Sequence, residues 1–214
     1  MSSKGRGGMP SIEKDQYFTP LWCLDSLIDA GIPPLPFDSS LPWLEPCAGS
    51  GTIIKAFDMV DWHAVELDEK YRQDLDTIDN VQTVSCPQDF LTKDFKQRYA
   101  AVLTNPPYTL SFDFVQKAMS LSDTVIMLLR LNWLGSIDRY DFLKAATPDV
   151  HILTPRPSFV YGTTDSTEYA WYVWSPFSTG KIHMLKMGPK RSKKVSREFK
   201  LYDATGRVRL DSTA

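Results

Sequence analysis

Leu41-Pro42-Trp43-Leu44-Glu45-Pro46-Cys47-Ala48-Gly49-Ser50-Gly51-Thr52-Ile53-Ile54-Lys55-Ala56-Phe57 is the stretch that decides the fold. Leu41–Glu45 is apolar enough for a buried strand, and Thr52–Met59 spaces its apolar residues as a helix does. Glu45–Gly51 joins them with two glycines, which let the main chain turn tightly and let a ligand approach it closely. An open α/β sheet places nucleotide-like ligands at such a turn, at the carboxyl ends of its strands. The loop is not a phosphate loop, because no Gly-Lys-Ser/Thr follows, and it lacks the G-x-G-x-x-G spacing.

Outward from this turn, short apolar runs alternate with amphipathic ones. Trp22–Ala30 reads as a helix that Gly31-Ile32-Pro33-Pro34 stops. Downstream, the expected strands are Trp62–Glu66, Val81–Val84, Ala100–Thr104, Thr124–Leu129, Val150–Leu153 and Tyr169–Trp174. Between them, helices are expected over Glu69–Asp76, Lys93–Tyr99, Ser111–Ser120 and Asp138–Ala146. This alternation predicts a parallel sheet covered by helices on both faces. Residues 1–13 are Gly/Ser-rich and are expected to form a disordered tail, residues 14–180 the folded domain, and residues 181–214 a basic extension.

Composition narrows the function classes. The chain has 214 residues, enough for one sizeable core. No apolar run reaches membrane-spanning length and the first residues lack the apolar core of a secretory signal, so a cytoplasmic location is expected. Cys23, Cys47 and Cys86 lie far apart, as do His63, His151 and His183, so no metal site is expected and the cysteines read as reduced thiols. The net charge of −2 hides an asymmetry. From Lys181 onward there are ten Lys/Arg against three Asp/Glu, leaving fourteen against twenty-three in the first 180 residues. A basic tail on an acidic body suits a polyanionic partner, and equally a solvated tail.

Two further motifs sit at strand ends. Glu66 follows the next strand, 15 residues after Gly51, where a carboxylate can accept hydrogen bonds from both hydroxyls of a ribose. Asn105-Pro106-Pro107-Tyr108 ends the Ala100–Thr104 strand. The prolines cannot continue the ladder and hold the backbone rigid, leaving a fixed Asn carboxamide and an aromatic ring at the mouth of the sheet. An adenine amine is a poor nucleophile because its lone pair is delocalised into the ring. The Asn105 oxygen and the Pro106 carbonyl can accept its two protons, while Tyr108 stacks on the base.

With these residues in hand, the sequence resembles the DNA adenine-N6 methyltransferases over Asp15–Trp174. In that family [DNS]PP[YFW] is the catalytic motif, which Asn105–Tyr108 matches, and the cofactor is S-adenosylmethionine. The resemblance implies a Rossmann-like α/β methyltransferase fold with a mostly parallel seven-stranded sheet. It implies cofactor contacts from Glu45, Pro46, Ala48, Gly49 and Gly51 in the loop, from Glu66 on the ribose, and from Asn105. Asp89 and Phe90 resemble the acidic residue and apolar neighbour that hold the cofactor's adenine. Tyr17-Phe18-Thr19-Pro20 resembles the N-terminal motif whose backbone and Thr grip the methionine end, and Thr19 can also cap a helix that Pro20 begins. Phe159 is placed where the family often stacks the flipped base on its second face, and it reads equally as a core residue.

The motif order is that of the family's gamma arrangement, yet neither the 53 residues between Gly51 and Asn105 nor those after the last strand hold a target-recognition domain. Base reading then falls to loops such as Asn132–Arg139 and Tyr161–Glu168, or to a partner or second copy. Lys190, Arg191, Lys193 and Lys194 are candidate phosphate contacts, with DNA as the expected partner and a flipped adenine as the target. A small enzyme of loose specificity suits a phage or mobile element. The alternatives are an RNA adenine or protein-glutamine amide methyltransferase, which share the tetrapeptide's chemistry, and a catalytically silent nucleic-acid-binding subunit.

Overall fold

A computed structural model gives the conformation of residues 18–33, 40–159 and 166–188. Helix α1, Leu21–Asp29, precedes β1, Trp43–Glu45, and α2, Thr52–Ala56. Then come β2 (Trp62–Val65), α3 (Arg72–Asp76), β3 (Val81–Ser85) and β4 (Val102–Thr104). Helix α4 (Ser111–Leu121), β5 (Val125–Arg130) and α5 (Tyr140–Ala145) lead to β6 (Asp149–Thr154), β7 (Tyr169–Trp174) and β8 (Ile182–Lys186).

Among the described residues eight strands form one sheet in the order β3-β2-β1-β4-β5-β7-β6-β8. All neighbours run parallel except β7, which is antiparallel to both β5 and β6. The mostly parallel α/β sheet agrees with the sequence, but seven strands must be corrected to eight. The added strand, β8, lies in the region read as a basic extension and pairs with β6 from Val150↔Ile182 to Thr154↔Lys186. Its outward Ile182 and Met184 are 67% and 65% exposed, so an edge strand with one buried residue, Leu185, leaves little hydrophobic signal.

The period of two along each strand feeds two cores, one on either face of the sheet. Ile126 and Leu128 of β5, with Tyr169, Trp171 and Val173 of β7, join Leu24, Leu27, Ile54 and Leu75 from α1, α2 and α3. Val125, Met127 and Leu129, with Ala170, Tyr172 and Trp174, join Phe114, Val115 and Ala118 of α4, against which Phe142 of α5 packs. The Trp171 indole N–H donates to the Cys23 carbonyl at 3.1 Å, pinning β7 to α1 through an otherwise apolar layer.

Two local expectations are overturned. Lys93–Tyr99 is irregular, not helical: the Lys117 ammonium donates to the Leu91 and Lys93 carbonyls, both at 2.7 Å, drawing on main-chain acceptors near the start of the expected helix. The Thr19 side chain does not cap α1; Pro20 is the N-cap residue, with no side-chain cap bond, and the helix starts one residue later than that reading requires.

Candidate functional site

The chain runs β1-β2-β3 toward one edge and then returns to place β4 on the other side of β1. Strand order therefore reverses between β1 and β4, which pair directly at Leu44↔Val102. Such a reversal opens a crevice beyond the carboxyl ends of the two strands, because their following connections leave in opposite directions. The glycine loop follows β1 and Asn105–Tyr108 follows β4, so the two strongest motifs flank this crevice.

In the loop, Gly49 and Gly51 have φ of +50° and +79°, a left-handed backbone that side chains resist. They differ in what surrounds them. A Cβ on Gly51 would lie 2.3 Å from Ile78 Cδ1, whereas one on Gly49 would meet no protein atom within 4 Å. Gly51 therefore serves the packing of the loop on α3, and Gly49 borders open space. Gly51→Ala is expected to lower the denaturation midpoint, with about 1–2 kcal/mol from the left-handed backbone alone and more from moving Ile78. Gly49→Ala should carry only the backbone cost, while its methyl enters the space beside the loop. Urea titration and ligand calorimetry on both variants check this; equal effects on stability and binding at the two positions would contradict it.

Glu66 is buried and ties the loop to the end of β2. Its Oε2 accepts from Gly49 N–H at 2.7 Å and its Oε1 from Asp68 N–H at 2.8 Å. A carboxylate has about four lone-pair sites, so two remain for hydroxyls of a ligand. Glu45, at the base of the loop, is fully buried, and its Oε1 accepts from Cys47 N–H at 3.1 Å. Its Oε2 and the Thr104 hydroxyl oxygen are buried without a completed hydrogen bond. Burial pushes the Glu45 carboxyl up to about 8 from 4.5, the Thr104 hydroxyl and Cys47 N–H beside it pull it back, and Glu66 adds to the rise.

Because this acid is raised on folding, its contribution to stability is fully present below about pH 4.5 and is lost as pH climbs through about 8. Glu45→Gln, which keeps an acceptor for Cys47 N–H, should flatten that decline. The gain over the parent at pH 8.5, absent near pH 5, is on the order of a few kcal/mol. Denaturation midpoints across this range are the check; parallel curves for parent and variant would refute the assignment.

At the end of β4, Asn105 is half-buried, Pro106 is buried, and Pro107 precedes a short 3-10 turn, Tyr108–Leu110. Leu110 N–H donates to the Pro107 carbonyl at 3.0 Å. The Trp133 indole N–H donates to Ser111 Oγ at 3.0 Å, and Ser111 Oγ–H donates to the Tyr108 carbonyl at 2.8 Å. This relay fixes the turn from the loop after β5. The Tyr108 ring lies 5.5 Å from that of Tyr169, which Phe159 also meets edge-on at 4.8 Å, so both expected stacking rings converge on one buried neighbour.

The other expected residues divide. Asp89 is half-buried, and its Oδ1 accepts from Leu91 N–H at 2.8 Å within its own loop. Phe90 is 2% exposed and packs 4.9 Å from Phe114, which sets its ring in the core. Thr19 is buried. Pro46 and Ala48 are buried within the loop, Ala48 N–H donating to the Val65 carbonyl at 3.0 Å. Tyr17, Lys190, Arg191, Lys193 and Lys194 lie outside the described residues.

The structure also brings in residues that motif reading missed. Leu67, next to Glu66, is 52% exposed and presents an apolar side chain beside the crevice. Arg130, at the end of β5, holds its guanidinium 5.0 Å from the Tyr108 ring centre. Among the described residues, no three His, Cys, Asp or Glu side chains gather as metal ligands, and no helix is long and apolar enough to cross a membrane.

The donor set of a sulfonium-bearing amino acid joined to a nucleoside fits this crevice: open space at Gly49, and a Glu66 carboxylate with lone pairs left over from Gly49 and Asp68. No protein-family model and no curated protein matches the sequence. Solved structures do. A type I restriction-modification system methyltransferase subunit from Streptococcus thermophilus aligns with TM-score 0.59 and 15% identity, over 79% of this chain and 47% of that one. The chain thus spans about half the length of that subunit. The 23S rRNA methyltransferase ErmE aligns with TM-score 0.55 and 16% identity, over 77% of this chain and 71% of that one. A dimethyladenosine transferase from Plasmodium falciparum aligns with TM-score 0.52 and 15% identity, over 72% and 60%. These likenesses and the sheet order agree: the chain has the α/β fold of the class I S-adenosylmethionine-dependent methyltransferases.

Proposed function

We propose that this chain transfers a methyl group from S-adenosylmethionine to the N6 amine of adenine, with DNA as substrate. The observation that carries the reading is the placement of the glycine loop and Asn105-Pro106-Pro107-Tyr108 on the two strands that flank the reversal in strand order.

When bound, the cofactor supplies an electrophilic methyl group on a sulfonium. The chain's own residues hold it and aim the amine. Glu66 receives ribose hydroxyls on the lone pairs left over from Gly49 and Asp68. Gly49 leaves room for the ligand against the main chain. The Asn105 carboxamide oxygen and the Pro106 carbonyl accept the two amine protons, which favours a pyramidal nitrogen with its lone pair free to attack. Positioning of this kind supplies most of the acceleration, and no strong base is needed before transfer. Tyr108, its turn fixed through Ser111 and Trp133, offers the face on which an extruded base stacks. The basic tail, including Lys190, Arg191, Lys193 and Lys194, supplies phosphate contacts that strengthen binding without reading sequence.

The test is transfer of labelled methyl from S-adenosylmethionine to duplex DNA, single-stranded DNA and RNA, with nucleoside analysis of the product. Labelled N6-methyladenine from DNA is the expected result. Label confined to RNA would move the substrate, and transfer to none of them despite tight cofactor binding would overturn the reading.

A further inference from the structure

Beyond the tetrapeptide lies a cavity of about 200 Å³ lined by Tyr108, Thr109, Ser111, Arg130, Asn132, Trp133 and Arg139. Among the described residues its lining carries two guanidinium groups and no carboxylate, with hydroxyls and an amide between them. Arg130 lies over the Tyr108 ring, and Arg139 lies 4.7 Å from the Trp133 ring centre while its Nε–H donates to the Trp133 carbonyl at 2.8 Å. Both guanidiniums are thus oriented by aromatic faces, and Arg139 by a main-chain acceptor as well. An arginine held in plane needs to order less on meeting an anion, and its fork of donors matches the oxygens of a phosphate.

We infer that this cavity is the phosphodiester subsite for the nucleotide whose base is presented to Tyr108. The inference rests on the methyltransferase reading for the identity of that nucleotide, but the chemistry of the cavity stands apart from it. The cavity wall and the stacking ring are the same residue, Tyr108, so a base on that ring keeps its flanking phosphate within reach. Arg130 lies 5.0 Å from the Tyr108 ring centre, so a phosphate bound in the cavity sits beside the stacking surface, and the base and its phosphate are held by adjacent groups.

The probe is a thymidine–deoxyadenosine–thymidine trinucleotide with ordinary linkages, compared with the same trinucleotide carrying neutral methylphosphonate linkages. An RNA counterpart separates the two sources of phosphodiester. Binding to the full-length protein saturated with S-adenosylmethionine is followed by tryptophan fluorescence, since Trp133 lines the cavity. The charged form should bind about tenfold tighter, as for loss of a charge-assisted pair. In Arg139→Gln and in Arg130→Gln that ratio should fall below about threefold, and the salt slope of duplex binding should drop by about one. Cofactor affinity, unchanged within twofold, shows that each variant is folded.

A ratio that survives in both folded variants overturns the subsite, even if adenine is methylated. If one variant fails to fold, the other decides. An arginine-dependent ratio without methyl transfer to any nucleic acid keeps the subsite and sinks the enzymatic reading.

Discussion

Asn105→Ala is expected to lower the rate of methyl transfer by about 10²–10³-fold or more, the scale seen when one aligned hydrogen-bonding group is removed from a reacting centre. The affinity for S-adenosylmethionine should stay within a few-fold. The two effects separate because of where the side chain sits. Asn105 leaves the end of β4 and is followed by two prolines, so truncating it removes an acceptor without freeing the backbone. The turn beyond it is held independently by the bonds from Leu110, Ser111 and Trp133. Asn105→Asp, which keeps acceptor oxygens, should retain more activity than the alanine variant. Single-turnover rates with saturating cofactor, beside calorimetric cofactor titrations, make the measurement. Full activity in Asn105→Ala would remove this residue from the chemistry altogether.

Glu66→Ala should act on the other substrate. Two hydrogen bonds from ribose hydroxyls to a carboxylate, at about 1.5–3 kcal/mol each when an ionised group is involved, correspond to roughly 10²-fold or more in cofactor affinity. The same change removes the acceptor for Gly49 N–H and Asp68 N–H, so the loop also loses its tie to the end of β2. Gly49 is half-exposed, and water can satisfy its N–H in the variant, so folding should be affected far less than binding. Calorimetry with S-adenosylmethionine and with its demethylated product should show equal losses, because the ribose is common to both. Affinity within threefold of the parent would mean that Glu66 only braces the loop.

The strands were legible because most of them are buried on both faces, which writes them as continuous apolar runs: β5 and β7 are almost wholly buried. β8 was not legible for the opposite reason, with only Leu185 turned inward in a region dominated by lysine and arginine. The irregular stretch before β4 was misread because Phe95 and Tyr99 have helical spacing. Their rings instead meet His63, whose Nδ1 lies 2.6 Å from the Tyr99 hydroxyl, a contact between distant segments that no local pattern announces.

The site divides along the same line. Glu45, Gly49, Glu66 and Asn105–Tyr108 lie at or just beyond the carboxyl ends of β1, β2 and β4, so their order along the chain already places them on one edge of the sheet. Arg130, Trp133 and Arg139 reach Tyr108 only because the connection after β5 folds back across it. Phe90 reads as a ligand neighbour by position but lies among Phe95, Phe114 and the Lys117 ammonium, since burying a large aromatic ring is strongly favourable.

The direct pairing of β1 with β4 has a mechanical consequence. Loops that leave adjacent hydrogen-bonded strands start about 4.8 Å apart, a spacing set by the ladder and not by any hinge. The donor's cradle and the acceptor's clamp thus ride on a single stiff plate, and their alignment needs no closing of one lobe upon another. In the proposed reaction, what must travel is the substrate's base, leaving its stack to reach Tyr108. Speed in such a device is governed by how readily the substrate deforms, and selectivity can reside in that reluctance as much as in any contact with the bases.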